Sequence, residues 1–356
     1  MGTEVNNELL INLVEAFGGA VAVPVSGTIT IVPLTTGITT ISSRQPVSTT
    51  NVTLKVANPN RTGCAIYNNS VTNLFVKFGA TASIGAGTES FTRRIGPNEY
   101  YEVPFFYTGR IDAIWDGADA TGEAVMLERF TGTLTPDLIA GLVDWHRADA
   151  ANVTLVGSNV DTWLDSSGNG HTLQQTTDAN RLAYVASGIN GMPMLQGDST
   201  GWMPYSAVWL SPTNGTTFGV FRYATDADYQ IFLYALSHPS LYLGGSGAVD
   251  KPLIFIDANR AIWSSALTNG TDYLIKYGWE FGAATNIYTQ VGAGTEVSQT
   301  IGTFAAMNMQ SLSLDPGIVG DQQMLSACAE YFTYNRRLSP SEDAAIRTYI
   351  NGRYAI

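Results

Sequence analysis

Two short signatures, far apart in the chain, most constrain its fold. The first reads Leu142-Val143-Asp144-Trp145-His146-Arg147-Ala148-Asp149 and leads to Thr162-Trp163-Leu164-Asp165-Ser166-Ser167-Gly168-Asn169-Gly170. The second reads Ala329-Glu330-Tyr331-Phe332-Thr333-Tyr334 and runs on to Ser339-Pro340-Ser341-Glu342 and a segment ending Gly352-Arg353-Tyr354. If both belong to one domain, its first and last strands lie close together. Asp165 can accept N–H groups inside its own turn, and Gly168 and Gly170 permit positive φ, so this stretch closes a tight connection between strands. Ser339 is set as a helix N-cap with Pro340 at the first helical position and Glu342 at the third. Ile346, Tyr349 and Ile350 then share one helical face, and Gly352 is expected to end the helix.

The chain has 356 residues, of which 45% are hydrophobic and only 13% charged. The usual charged share is about 25%, so uncharged Thr, Ser, Asn and Gly must cover much of the surface. Net charge is −12, and the basic residues cluster no further than Arg93-Arg94 and Arg336-Arg337. Nucleic-acid binding would need a basic footprint and is not expected. No apolar run is long enough for a transmembrane helix. Glu4 and Glu8 stand where a signal peptide would carry positive charge, so folding in a cytoplasm is expected. Cys64 and Cys328 read as two buried thiols. The six Asn-x-Ser/Thr sequons, Asn68 among them, read as turn residues.

Four segments follow along the chain. Residues 1–50 form an N-terminal arm. Within it, residues 6–17 place Leu9, Leu10, Leu13, Val14 and Phe17 at helical spacing before Gly18-Gly19, and the rest is extended connector. The short helix either docks on its own domain or inserts between subunits. Residues 51–130 form a small β unit: Val52, Leu54 and Val56 alternate, as do Leu74, Val76 and Phe78, and turn residues separate the runs. Residues 131–141 form a linker, with Thr135 and Pro136 starting a short turn. Residues 142–356 form the second domain.

The run Val56-Ala57-Asn58-Pro59-Asn60-Arg61-Thr62-Gly63-Cys64-Ala65-Ile66-Tyr67-Asn68-Asn69-Ser70 resembles a small β domain recurrent in tailed-phage virion proteins. Phe75-Val76-Lys77-Phe78-Gly79, Ile95-Gly96-Pro97-Asn98-Glu99-Tyr100-Tyr101-Glu102 and Ile114-Trp115 fit it too. Trp145, Trp163, the Asp165–Gly170 turn, Ile189-Asn190-Gly191-Met192-Pro193 and the Glu330–Tyr354 stretch resemble laminin-G-like domains, which share the concanavalin-A-like jelly roll. One departure is Leu195-Gln196-Gly197-Asp198, where that family would carry a Phe-Asp-Gly strand. The expected fold is therefore all-β: a small sandwich, then a laminin-G-like jelly-roll sandwich, with a short helix at each end. Trp145, Asp165, Gly168, Asn169, Ser339 and Glu342 carry the structural motif.

Chemistry is sparser. Hydrolases on such sandwiches place catalytic carboxylates at alternate positions of one strand, and no Glu-x-Asp-x-Glu string occurs. Glu280 and Glu330 are isolated acids, read as paired or edge carboxylates. His146, Asp149 and His171 come without a Gly-x-Ser-x-Gly elbow. Three histidines do not suggest a zinc site; relatives of this fold bind calcium through loop carboxylates, for which Asp165, Asp198, Asp226 and Asp228 are candidates, and solvated turn acids are the competing reading. No catalytic residue, metal or cofactor is expected. Trp202, Trp209 and Trp263 lie in or near loops, where an exposed indole could stack on a sugar ring; core packing is the competing reading.

The resemblances imply a non-enzymatic bacteriophage structural protein of the capsid decoration or cement type. It would sit on the virion as a homotrimer, with the major capsid protein or other virion proteins as partners. The alternative is a glycan-binding receptor module of a phage tail, or a cell-surface lectin, contacting a host surface glycan. A degenerate hydrolase is a third possibility.

Overall fold

The computed structural model describes residues 38–356, apart from 105–106, 199, 211–212, 225–229, 237–239, 245–249, 257–258, 264, 282–284, 302–307 and 313–324. The expected helix at 6–17 and the loop acids Asp226 and Asp228 lie outside the described residues. The described chain is all-β, with one α-helix near its C-terminus. None of its helices is long and apolar enough to cross a membrane.

Eight strands build the small sandwich: β1 (Ile38–Pro46), β2 (Val52–Lys55), β3 (Arg61–Asn69), β4 (Leu74–Phe78), β5 (Arg93–Ile95), β6 (Tyr100–Glu102), β7 (Ile111–Trp115) and β8 (Glu123–Thr131). They form two four-stranded sheets, ordered β1-β8-β3-β6 and β2-β7-β4-β5. The period-two pattern is realised directly. Ile66, Leu74, Val76, Ile111, Trp115 and Met126 point inward and are buried. Each alternate residue faces out. Strand β1 falls in the N-terminal segment read from sequence as extended chain, partly strand and partly connector, and it pairs with β8 along its whole length.

Three polar networks pin this sandwich. Buried Glu128 accepts from Arg61 Nε (2.6 Å) and lies 3.2 Å from Lys55 Nζ. Arg61 also donates to the carbonyls of Val56 and Gly109 and so ties two loops to the strand. Asn68 is fully buried. Its Nδ2 donates to the Thr72, Ile95 and Gly96 carbonyls, and its Oδ1 accepts from Trp115 Nε1. Such burial leaves no room for a glycan on that sequon. Asp112 takes Arg110, Asn51 and the Thr81 N–H.

The larger unit is a jelly-roll-like sandwich. In one layer, Leu142–Arg147 lies beside Ala327–Tyr334, followed by Asn214–Arg222, Asp272–Glu280, Thr285–Val291 and Val297–Ile301. The two signatures are thus neighbours, with Trp145 opposite Phe332 and Arg147 opposite Glu330. The second layer orders Met203–Leu210, Asn308–Leu312, Gln230–Leu236, Ser240–Gly244, Leu253–Ile256 and Asn259–Ile262. Phe221, Tyr277, Trp279 and Tyr331 of the first layer meet Tyr205, Phe232, Leu243 and Ile254 of the second.

The first layer is covered on its other side as well. The C-terminal helix, Pro340–Tyr354, packs Ile346, Tyr349 and Ile350 on Phe218, Val220, Ala329 and Phe332. Both faces being buried, all eight residues of Ala327–Tyr334 are buried and the strand shows no alternation. The capping box forms as expected: Ser339 Oγ accepts the Glu342 N–H and Glu342 Oε2 accepts the Ser339 N–H at 2.9 Å. Gly352 does not end the helix. It continues to Tyr354, whose buried ring bonds Glu330, and closes at Ala355 in the left-handed region (φ 55°).

Residues 37–356 are one compact unit. Ile41 and Phe130 of the small sandwich enter the core under the C-terminal helix, and so do Leu134 and Ile139 from the stretch read as a linker. Ser42 joins the units by backbone, its N–H donating to Ser341 Oγ (3.0 Å) and its carbonyl accepting from Ser341 Oγ (2.9 Å) and Ser339 Oγ.

Candidate functional site

The Asp165 turn behaves as its sequence dictates. Gly168 and Gly170 have φ of 84° and 83°. Asp165 Oδ1 accepts the N–H groups of Trp145 (3.1 Å) and Ser167 (2.8 Å), and Oδ2 accepts Ser167 Oγ (2.8 Å) and the His171 N–H (3.0 Å). Burial works to raise this carboxyl; the donors of Ser167 and His171 outweigh it and hold it below the ordinary carboxylate value. Asn169 Nδ2 donates to the carbonyls of Leu142 (3.2 Å) and Val143 (3.1 Å), locking the turn to the first strand.

Asp144 and His146, two apart on that strand, point to the interior beside Asp165. These three are the one group among the described residues with the ligand types and spacing for a metal ion. Their hydrogen-bonding capacity is only partly used, and His146 Nδ1 is buried with no hydrogen-bond partner. Asp165 serves four donors, while Asp144 binds His146 Nε2 (2.8 Å) through Oδ1 and Tyr205 OH (2.7 Å) through Oδ2. Tyr205 OH lies 3.0 Å from Tyr331 OH, and the His146 ring stacks on Tyr331 at 4.8 Å. Asp144, His146, Tyr205 and Tyr331 thus form an internal chain of hydrogen bonds and ring contact, with one imidazole nitrogen left over beside it. Asp149 is not part of it: its carboxylate pairs with Arg353. His171 Nδ1 faces the Val143 carbonyl at 2.7 Å.

Glu330 anchors the opposite face. It is fully buried and accepts Trp145 Nε1 (2.7 Å), Tyr349 OH (2.8 Å) and Tyr354 OH (2.7 Å), with Arg353 Nε at 3.3 Å. Burial raises this carboxyl above its ordinary value despite those donors. Glu280 is paired with Arg337 at 3.0 Å. Among the described residues, no second carboxylate stands beside either acid on its own strand, unlike the pair that glycoside hydrolysis ordinarily uses.

The three tryptophans occupy separate places. Trp202 is half-buried where the chain enters Met203–Leu210; its N–H donates to the Asn180 carbonyl (2.9 Å) and its carbonyl accepts Gln175 Nε2 (3.0 Å). Trp209 lies on that strand, and its side chain is outside the described ones. Trp263 is half-buried, and its ring lies on Gly294, where an added β-carbon would collide with it. It covers the margin where Asn259–Ile262 approaches Val297–Ile301.

A different place has the shape and chemistry of a ligand site. A groove of about 670 Å³ opens between the small sandwich and the jelly roll. Gln45, Asn51 and Arg110 line one wall; Asn169, Asn214 and Asn335 line the other, with Arg336 and Asp137 nearby. Arg110 is held by Asp112 (2.6 Å) and Arg336 by Glu342 (2.7 Å), so both guanidinium groups are oriented. Asn214 Oδ1 accepts the Phe281 N–H at 3.0 Å, which fixes its amide. Amide and guanidinium groups are planar donors and acceptors suited to paired hydroxyls. Sequence reading missed this groove because its walls come from strand ends and loops far apart in the chain. The only local signal was the excess of Asn in turns.

No protein-family model matches this chain, and no curated protein matches it. Solved structures do. A Trypanosoma rangeli sialidase aligns at 13% identity and a TM-score of 0.40, over 67% of this chain and 42% of its own length. Domain 4 of a Geobacillus stearothermophilus extracellular arabinanase, solved with arabinotriose, aligns at 11% identity and a TM-score of 0.40, over 58% of this chain and 98% of that domain. The enzymatically active domain of a bacteriophage CBA120 tailspike protein aligns at 16% identity and a TM-score of 0.31, over 50% of this chain and 30% of its own. The expectation that this chain is not an enzyme is corrected by these matches. Glycoside hydrolases are among the structures it is similar to, so catalysis is not excluded by its fold. Likeness at these scores assigns no activity.

Proposed function

We propose that the protein belongs to a bacteriophage particle and recognises a glycan, which it holds in the groove between its two β units. The observation that carries this reading is the groove: its volume is in the range of small-ligand sites, and asparagine and glutamine residues line both of its walls. The run from Val56 to Ser70, with its resemblance to a virion β domain, supports the particle. In the finer form of the proposal the small sandwich attaches the chain to the capsid surface, with the major capsid protein as partner, in the manner of a decoration protein.

A glycan array probed with the purified full chain tests recognition. Saturable binding to a defined saccharide class is expected, and analysis of the bound glycan after incubation reads any cleavage in the same experiment. A blank array overturns the reading. Trp202→Ala and Trp263→Ala are expected to leave binding unchanged, because neither side chain lines the groove. The decoration form is tested by adding the chain to bare capsids, whose resistance to heat is expected to rise; unchanged shells count against it.

A further inference from the structure

The outer face of the sheet β1-β8-β3-β6 breaks the alternation that its strands otherwise keep. Tyr100, Leu127 and Tyr67 are 59%, 47% and 36% exposed, while Ile66 and Met126 beside them in sequence point inward and are buried. Strand register sorts the apolar outward residues into two rows across the sheet, with Glu123 and Arg129 of β8 in the rows to either side. One row reads Arg44, Val125, Tyr67, Tyr100; the next reads Ser42, Leu127, Ala65, Glu102. Water gains nothing from such a face, and a contiguous apolar patch framed by charge marks an interaction surface.

The rows also say what fits. A two-fold axis parallel to the strands, midway between β8 and β3, sets each row against its own reverse. Tyr67 then meets the small Val125 of the second copy, and Leu127 meets Ala65. Arg44, at one border, reaches the Tyr100 ring and the Glu102 carboxylate at the other border. Large residues oppose small ones and the cation opposes an aromatic face and an acid, so the surface is complementary to itself. Arg44 is bonded to Glu123 in its own chain but keeps 61% of its side chain exposed.

We propose that this face is where a second copy of the chain docks, sheet against sheet, as a two-fold dimer. It is separate from the groove, and holds whether or not a glycan binds. The test uses the full chain. Light scattering is expected to give twice the chain mass for the wild type and the single-chain mass for Leu127→Glu, with the same far-UV circular dichroism spectrum for both. The double substitution Arg44→Cys with Tyr100→Cys is expected to give an intermolecular disulfide on oxidation, because three strand spacings, about 14 Å, separate the positions within one chain. A wild-type monomer or trimer overturns the proposal. So does a Leu127→Glu variant that stays dimeric, or a double variant that yields no cross-linked dimer.

Discussion

Buried carboxylates decide most at the scale of single residues, and two of them titrate in opposite senses. Glu330 accepts three buried donors, so Glu330→Ala strands Trp145 Nε1, Tyr349 OH and Tyr354 OH in the core. A loss of roughly 3–5 kcal/mol is expected from denaturant unfolding. The carboxyl of Glu330 is raised in the fold, so ionising it there costs stability. Relative to Glu330→Gln, the wild type should be best placed below the ordinary carboxylate value and lose ground as pH rises through the raised one. Asp165 is the reverse. Its lowered carboxyl contributes stability above the ordinary value, and that contribution fades as pH falls through the lowered one. Unfolding of Glu330→Gln and Asp165→Asn across a pH series checks both signs. Parallel curves for wild type and variants would contradict them. Asp165 was legible in the sequence because three of its four donors lie within its own turn. Glu330 was visible only as an isolated acid, since its partners come from the first strand and the last helix.

Among the elements, the C-terminal helix joins the two units. Ser339 caps it and also donates to the Ser42 carbonyl of β1. Ser339→Ala should therefore cost roughly 2 kcal/mol, about 1 for the cap and about 1 for the lost bond to Ser42. Ser339→Asp restores the cap without the bond to Ser42, so it should recover about half. Glycine 278 makes a second test at this scale. Gly278 faces Tyr288 across neighbouring strands, and a β-carbon there would overlap the ring. Gly278→Ala should destabilise by about 1–3 kcal/mol as the ring is displaced from its bond to Thr216 Oγ1. Strands covered on one side were plain in the sequence where they alternate, as β4 shows, whereas both ends of β3 had been read as turns. Ala327–Tyr334 and Asn214–Arg222 were visible only as apolar runs, since a strand buried on both faces carries no period. The helix end was misread at Gly352 because burial of Tyr354 against Glu330 outweighs the cost of a helical glycine.

For the whole molecule, what the sequence could not show is that its two β units meet. Ile41, Phe130, Leu134 and Ile139 fill one core with the C-terminal helix, and that contact creates the groove on which the functional reading rests. The tryptophans drew attention in the sequence because indoles are conspicuous. Gln45 and Asn214 did not, because exposed amides in a Thr- and Asn-rich chain look ordinary until two walls bring them together. Calorimetric titration of the array-selected saccharide into wild type and into the double variant Gln45→Ala with Asn214→Ala is the most direct test. Both side chains stand outside the cores, and the Phe281 N–H freed from Asn214 keeps the Thr213 carbonyl (3.0 Å), so the variant should melt close to the wild type. Its affinity should fall about tenfold to a hundredfold, as expected for one or two lost hydrogen bonds. Equal affinity in the two proteins would place the glycan elsewhere and contradict the groove.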